Sequence, residues 1–220
     1  MYDLLRINFV PGRLGRSDTL SLLFISIFIT VGGLCYGKAE PQKKEAVQSD
    51  SLPFKPSAWV AVGGCWDFSH RIISAQATVS CCRAYLADRV YRDFTFRVRL
   101  NKLAEDGAIG VIFRFDETAH TGYRFEIYPH GGHILALVRG PDREGELWHS
   151  TAIVMNRGCN TWNRIRITCT GKRMEIYING ELANIVEDST YASGRIGLFI
   201  GGDPRQRAEF EILTLEEHSR

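Results

Sequence analysis

The sequence has 220 residues, 27 lysines and arginines against 25 acidic residues, and a net charge of +2. The basic residues are scattered along the chain, which argues against a nucleic-acid partner. The length predicts one domain with an N-terminal extension. None of the six cysteines forms a C-x-x-C pair, so a structural zinc site is not indicated.

The N-terminal extension contains a strongly apolar segment. Residues 1–18 are polar and mildly basic, and residues 19–36 (TLSLLFISIFITVGGLCY) are almost uniformly apolar. This length lies between a signal-peptide core and a short transmembrane helix. The leading arginines predict a cytoplasmic N-terminus with the rest of the chain outside. We therefore expect either a membrane anchor or cleavage near Ala39, which would give a secreted domain.

A polar stretch separates this segment from the predicted domain. Residues 37–56 carry mixed charge and three prolines, which favours a flexible linker. The domain itself is predicted over residues 57–217. Short candidate strands begin at Trp59, and the cleanest alternation is Phe94–Leu100, in which apolar residues alternate with polar ones and predict one buried face.

The middle of the domain predicts further strands. Residues 108–115 (AIGVIFRF) are apolar on both faces, as in a central strand. Residues 123–128 and 133–139 predict a hairpin across a Pro-His-Gly-Gly turn. Strands that recur about every 8–12 residues with glycine-rich turns indicate an all-β sandwich.

Residues 162–201 give the strongest pattern in the chain. Ile165 and Ile167 alternate with outward arginines, and Asn179-Gly180 is a strong hairpin signal because both residues tolerate positive φ. Ile196, Leu198 and Ile200 then alternate again, with glycines around them.

The pattern W-N-R-I-R-I…G-K-R-M-E-I-Y-I-N-G-E-L…Y-A-S-G-R-I-G-L-F…A-E-F-E-I-L resembles the concanavalin A-like lectin/glucanase superfamily. In style it is most similar to laminin-G-like and bacterial 3-keto-disaccharide hydrolase-like domains, over roughly residues 57–215. The resemblance implies an antiparallel jelly-roll β-sandwich, here preceded by one N-terminal hydrophobic helix. It implies a module that binds carbohydrate or another surface polymer. There are two alternatives to this binding module. One is a glycoside-hydrolase-like enzyme acting on disaccharide derivatives, and the other is an adhesion or protein-interaction domain.

The acidic residues do not form a recognisable catalytic pair. The E-x-D-x-x-E motif of family 16 glucanases is absent. Glu209 and Glu211 alternate around Phe210 on the last predicted strand, where we expect a solvated face. Glu126 is either a lone general acid or part of a cross-strand ion pair. The catalytic residues are therefore unknown, and the sequence leans towards a protein without enzymatic activity.

The potential metal ligands are few. His130 and His133 lie close in sequence but lack an obvious third ligand. Asp116, Glu117 and Asp142 are loop acids of the kind that hold calcium in some laminin-G-like domains, but calcium needs about six to eight oxygens. We predict no metal and no cofactor, with calcium as the alternative.

The cysteines leave two readings open. In an oxidising compartment, Cys159 with Cys169, and Cys65 with Cys81 or Cys82, are candidate disulfides. Buried free thiols are the alternative.

A binding face is the remaining functional prediction. Sugars stack on aromatic rings and form hydrogen bonds with a few polar groups, as other small ligands do. We predict a ligand face with Tyr128 and Trp148 as the principal aromatic residues. The candidate residues are Arg114, Tyr123, Arg124, Glu126, Tyr128, His130 and Trp148.

Overall fold

The computed structural model describes residues 56–141, 143–150, 154–202 and 204–218. The predicted segments 1–18 and 19–36, and nearly all of the predicted linker, lie outside these residues. Within the described ranges, no helix is long and apolar enough to cross a membrane. The N-terminal anchor therefore stays a prediction.

The described residues form one 3-10 turn, Pro56–Ala58, followed by β-strands. In chain order the strands are β1 (Trp59–Val62), β2 (Cys65–Asp67), β3 (Ile72–Gln76), β4 (Cys81–Leu86), β5 (Phe94–Lys102), β6 (Ala108–Asp116), β7 (Thr121–Ile127), β8 (His133–Arg139), β9 (Glu144–Ser150), β10 (Thr161–Thr170), β11 (Arg173–Ile178), β12 (Glu181–Glu187), β13 (Arg195–Gly201) and β14 (Arg207–Glu217).

These strands form two seven-stranded sheets. The first sheet has the order β1-β4-β13-β6-β7-β8-β9, and the second has the order β12-β11-β10-β5-β14-β3-β2. Neighbouring strands in both sheets are antiparallel. The predicted all-β sandwich is therefore confirmed.

The main core lies between the two sheets and follows the predicted alternation. On β5, Phe94, Phe96, Val98 and Leu100 are all buried in it. On β6, the inner face contributes Val111 and Phe113 among others, while Ile112 is buried on the opposite face. Burial on both faces confirms that β6 is a central strand, between β13 and β7.

The turn between β11 and β12 is also as predicted. Asn179 and Gly180 have φ of 53° and 97°, the left-handed values that such a turn requires. The side chain of Asn179 also accepts a hydrogen bond from the Arg164 backbone at 2.9 Å. This turn therefore helps to fix the register of three neighbouring strands.

Of the two alternatives for the cysteines, the candidate disulfides do not form. The five cysteines of the described residues are free. Cys159 precedes β10 and Cys169 lies near its far end, so nearly the whole strand separates them. An extended strand rises about 3.3 Å per residue, which places these two thiols far beyond disulfide distance.

Candidate functional site

The outer face of the first sheet brings polar and aromatic side chains from several strands together. Its residues line up in rows because paired positions on neighbouring strands point to the same side. One row runs from β4 to β7 through Arg83, Phe199, Gly110 and Glu126. The adjacent row runs through Tyr85, Gly197, Ile112 and Arg124.

Arg124 is at the centre of a hydrogen-bond network on this face. Its two terminal nitrogens donate to the two carboxylate oxygens of Glu144 at 2.7 and 2.5 Å. Its Nε donates to Glu126, which also accepts a hydrogen bond from the Tyr128 hydroxyl at 2.8 Å. The guanidinium carbon lies 4.4 Å from the centre of the Phe199 ring. Arg124 is thus held from three sides in one orientation.

The protonation of this network follows from its contacts. Burial alone lowers the pKa of Arg124, but the hydrogen bond to Glu144 and the charges of Glu126 and Glu144 raise it overall. Burial, together with the charge of Glu126, raises the pKa of Tyr128. Both residues therefore stay protonated at neutral pH and act as hydrogen-bond donors.

A second basic residue faces this network across the sheet. Nη2 of Arg83 lies 2.9 Å from Nδ1 of His120, and its guanidinium carbon lies 5.3 Å from the centre of the Phe115 ring. Nε of Arg83 is buried, and no hydrogen-bond partner for it exists among the described residues.

The β6–β7 turn positions His120. Asp116 Oδ1 accepts hydrogen bonds from the backbone nitrogens of Thr118 and Ala119 at 2.8 and 2.9 Å. His120 itself has φ of 52°, a left-handed conformation that is uncommon for a non-glycine residue. The turn is further fixed by a 2.8 Å ion pair between Glu117 and Arg195.

A depression lies between Arg83 and Arg124. Its empty volume, open solvent included, is about 340 Å³. The lining residues are Cys81, Arg83, Ile112, Phe115, His120, Arg124, Val138, Gly140, Pro141, Glu144 and Phe199. It combines an apolar floor with charged walls, the combination that sites for small polar ligands use.

Four of the predicted site residues lie together at this face. Arg124, Glu126 and Tyr128 are joined by hydrogen bonds, and the ring of His130 lies 5.5 Å from that of Tyr128. The side chain of Glu126 is only 6% exposed. It forms an ion pair with Arg124 on its own strand, whereas the prediction was a cross-strand pair.

The expectation that Tyr123 and Trp148 share this face is wrong. Tyr123 is fully buried between the sheets, and its hydroxyl donates to Asp188 at 2.5 Å. It cannot lie beside Arg124 on one face, because consecutive residues of a strand point to opposite sides. Trp148 packs against the main core, with its ring 4.7 Å from that of His133.

The same expectation is wrong for Arg114, because a β-bulge changes the register there. Pairing of β6 with β7 shifts between Phe113 and Asp116, and Arg114 has φ of 47°. Its fully buried side chain donates to the backbone carbonyls of Arg92, Gly171 and Tyr191 at 2.7 to 3.3 Å. Arg114 therefore has a structural role.

The sequence reading missed Arg83, His120, Glu144 and Phe199. Only Phe199 carried a local signal: it lies out of phase with Ile196, Leu198 and Ile200, so it had to point to the outer face. The other three come from separate strands and turns. Their proximity depends on the strand order of the first sheet.

The structure places the potential metal ligands apart. Within the described residues, no group of three or more His, Cys, Asp or Glu side chains is arranged to hold a metal ion. His133 is buried beside Trp148, whereas His130 lies against Tyr128. Asp142, one of the predicted loop acids, lies outside the described residues.

Glu209 and Glu211 lie on the other sheet. Glu211 forms ion pairs with Arg71 and Arg99 at 2.8 and 2.7 Å, and Glu209 accepts a hydrogen bond from Asn101 at 2.8 Å. Both are thus paired on the outer face of the second sheet.

Comparison with known proteins assigns the chain to a family. Residues 53–213 match the family model described as the 3-keto-alpha-glucoside-1,2-lyase-like domain. The chain belongs to this family. No curated protein matches it significantly in sequence.

Solved structures share the fold of this 3-keto-alpha-glucoside-1,2-lyase-like domain at low sequence identity. The carbohydrate binding module CBM66 from Bacillus subtilis has 19% identity and a TM-score of 0.62, covering 73% of this chain and 96% of that one. A Bacillus subtilis protein of unknown function with a galectin-like fold has 13% identity and a TM-score of 0.59. The match covers 74% of this chain and 91% of that one.

A third similar structure is the exoplasmic/lumenal domain of VIP36 in its Ca²⁺/Man3GlcNAc-bound form. It has 11% identity and a TM-score of 0.58, covering 76% of this chain and 87% of that one. These likenesses, with the family match, establish the concanavalin A-like jelly-roll fold.

Proposed function

We propose that this domain binds carbohydrate at the depression between Arg83 and Arg124. The observation that carries the proposal is the fixed orientation of Arg124, held by Glu126 and Glu144 above the Phe199 ring. Donors and acceptors that are ordered before binding lose little conformational entropy when they contact sugar hydroxyls.

The comparisons support the same class of ligand. One similar structure is a carbohydrate binding module, and another was solved with a bound oligosaccharide, Man3GlcNAc. Those ligand properties belong to the similar proteins. They make saccharides, including surface polysaccharides, the first ligands to test.

The test is a glycan-array screen followed by calorimetry of the hits, using the full chain purified in detergent. Wild type and the double variant R124M/E126Q are compared, with R164Q as a control. Arg164 is exposed and lies on the second sheet, so its variant changes charge away from the depression. We expect selective saccharide binding that R164Q retains and R124M/E126Q loses. A folded wild type that binds no saccharide contradicts the proposal.

Enzymatic turnover is the second candidate function, because the family model is named for lyase-like domains. Glu126 supplies a carboxylate beside the depression, and Tyr128 supplies a phenol that donates to it. Incubation with 3-keto-disaccharides, followed by product chromatography, tests this function. Turnover that disappears in E126Q favours an enzyme, whereas binding without turnover favours the binding module.

We also propose that the domain lies outside the cytoplasm. The support is the apolar segment 19–36 with its leading arginines, followed by a polar linker. Protease treatment of intact cells, followed by fractionation and N-terminal sequencing, separates an anchored chain from one cleaved near Ala39. Complete protection of the domain in intact cells, with cleavage after lysis, contradicts this location.

A further inference from the structure

We infer that the preferred ligand is an acidic saccharide whose carboxylate binds to Arg83 and His120. This inference rests on the proposed carbohydrate function and names the ligand class of the same site. It arises from a difference between the two arginines that face each other across the depression.

The two arginines differ in how their charges are balanced. Arg124 forms ion pairs with both Glu126 and Glu144. Arg83 has no acidic partner among the described residues. Its contacts there are with His120, the Phe115 ring and the Cys81 thiol. Arg83 therefore presents a positive charge without an ion-pair partner to the depression, whereas Arg124 and its two carboxylates together carry one net negative charge.

The contact between Arg83 and His120 fixes the proton on the histidine ring. A guanidinium only donates hydrogen bonds, so Nδ1 of His120 must accept and the neutral ring carries its hydrogen on Nε2. The remaining N–H groups on the terminal nitrogens of Arg83 and Nε2–H of His120 are thus the donors available to a ligand, whereas Nε of Arg83 is buried. Both side chains line the depression.

Donors beside a positive charge without an ion-pair partner match the chemistry of a carboxylate. Its two oxygens accept two hydrogen bonds, and charge-assisted bonds of this kind are stronger than those to a neutral hydroxyl.

The surroundings give the ligand one orientation. Glu144 lines the opposite wall, so it repels a ligand carboxylate there and accepts hydrogen bonds from sugar hydroxyls instead. The neighbouring Cys81 is exposed but partly desolvated by the surrounding side chains, which raises the pKa of its thiol, so it adds no negative charge at neutral pH. An acidic sugar therefore binds with its carboxylate towards Arg83 and hydroxyls towards Glu144.

The test compares matched probes that differ only in charge. Oligogalacturonate and its methyl ester are titrated by calorimetry into the full chain, at low salt and again at high salt. We expect the acid to bind about tenfold to hundredfold more tightly than the ester, the factor that a charge-assisted hydrogen bond contributes. High salt should reduce the preference for the acid, because screening weakens the attraction between exposed charges.

Variants of Arg83 test whether this residue causes the preference for the acid over the ester. In R83Q the ratio of the two affinities should fall to about one, and R83K, which keeps a charge without the planar fork, should give an intermediate ratio. R164Q removes an arginine on the other sheet and should keep the wild-type ratio. Urea midpoints confirm that each variant is folded, and the wild-type comparison stands even where a variant is not.

The outcomes separate this inference from the proposed function. Equal affinity of wild type for the acid and the ester, or an unchanged ratio in folded R83Q, overturns the acidic ligand. Neutral saccharides that still bind through Arg124 then leave the proposed function standing. A wild type that binds no saccharide in the array or here overturns both.

Discussion

The guanidinium of Arg124 lies over the ring of Phe199, with 4.4 Å between the guanidinium carbon and the ring centre. The two residues come from β7 and β13, which are separated in the sheet only by β6. Glu126 and Glu144 hold the guanidinium from the side. An aromatic ring and two carboxylates therefore contact one guanidinium on the outer face of the first sheet.

Replacing Arg124 should affect stability and binding separately. R124M leaves the buried carboxylate of Glu126 without its cation, and loss of one partner of a buried pair costs about 3–5 kcal/mol. R124M/E126Q removes that charge, so we expect most of the stability to return while saccharide affinity stays more than tenfold reduced. Urea unfolding and calorimetry measure the two effects. Recovery of affinity in the double variant would argue against Arg124 as a ligand contact.

Gly201 makes room for the Phe199 ring. A methyl group added at Gly201 would overlap the tip of that ring. We expect G201A to cost about 1–3 kcal/mol, as overpacking does, and to weaken saccharide binding by displacing Phe199 beneath Arg124. In G145A the added methyl meets only the end of the Arg139 side chain, at 3.2 Å, so this variant is the matched control. Equal effects of both variants would contradict this account.

Cysteine alkylation can locate the ligand. Cys81 is exposed and lines the depression, whereas the exposed Cys65 does not line it. We expect a saturating saccharide to slow alkylation of Cys81 and to leave Cys65 unchanged, as measured by peptide mass spectrometry at alkaline pH. Buried Cys169, whose pKa burial raises to about 12, should remain unmodified in the folded protein. Protection of Cys65 alone would move the ligand to another surface.

Arg114 should matter for stability alone. Its fully buried guanidinium donates to three backbone carbonyls and lies 3.6 Å from Asp93. R114M leaves these acceptors without a donor, so we expect a loss of about 3–5 kcal/mol in the free energy of unfolding. Urea unfolding measures it, with R164Q, which should change stability by less than about 0.5 kcal/mol, as the control. A small loss in R114M would contradict the structural role.

His133 should make the fold sensitive to acid. Burial lowers its pKa below the ordinary value of 6.5, although a weak contact with the Gly131 carbonyl opposes the shift. The unfolded chain then binds more protons than the folded one between these two pKa values. The contribution of the neutral His133 ring to the free energy of unfolding is thus fully present above pH 6.5. It decreases as the pH falls towards the pKa of His133 in the folded protein.

Urea midpoints of wild type and H133L, measured from neutral to mildly acidic pH, test this dependence. We expect the midpoint of wild type to fall more steeply than that of H133L below the ordinary histidine pKa. Parallel curves would show that other groups cause the acid sensitivity.

Local patterns in the sequence determined the strands and their buried faces. The alternation at Phe94–Leu100 and at Ile165 and Ile167, and the Asn179-Gly180 turn, each depend on a few neighbouring residues. The period of a strand alone decides which residues point inwards. The same two-residue period places Arg124, Glu126 and Tyr128 on one face of the strand and Tyr123 on the other.

The tertiary structure decided which strands lie side by side, and therefore which residues form the depression. Arg83, His120 and Glu144 are distant in sequence and meet because β4, β13, β6, β7, β8 and β9 are ordered neighbours in one sheet. Arg114 was predicted to bind ligand, but the β-bulge there shifts the register and buries its side chain. One shift in register changes the side of the sheet to which a residue points. Strand order and bulges arise from contacts across the whole chain, so no local pattern specifies them.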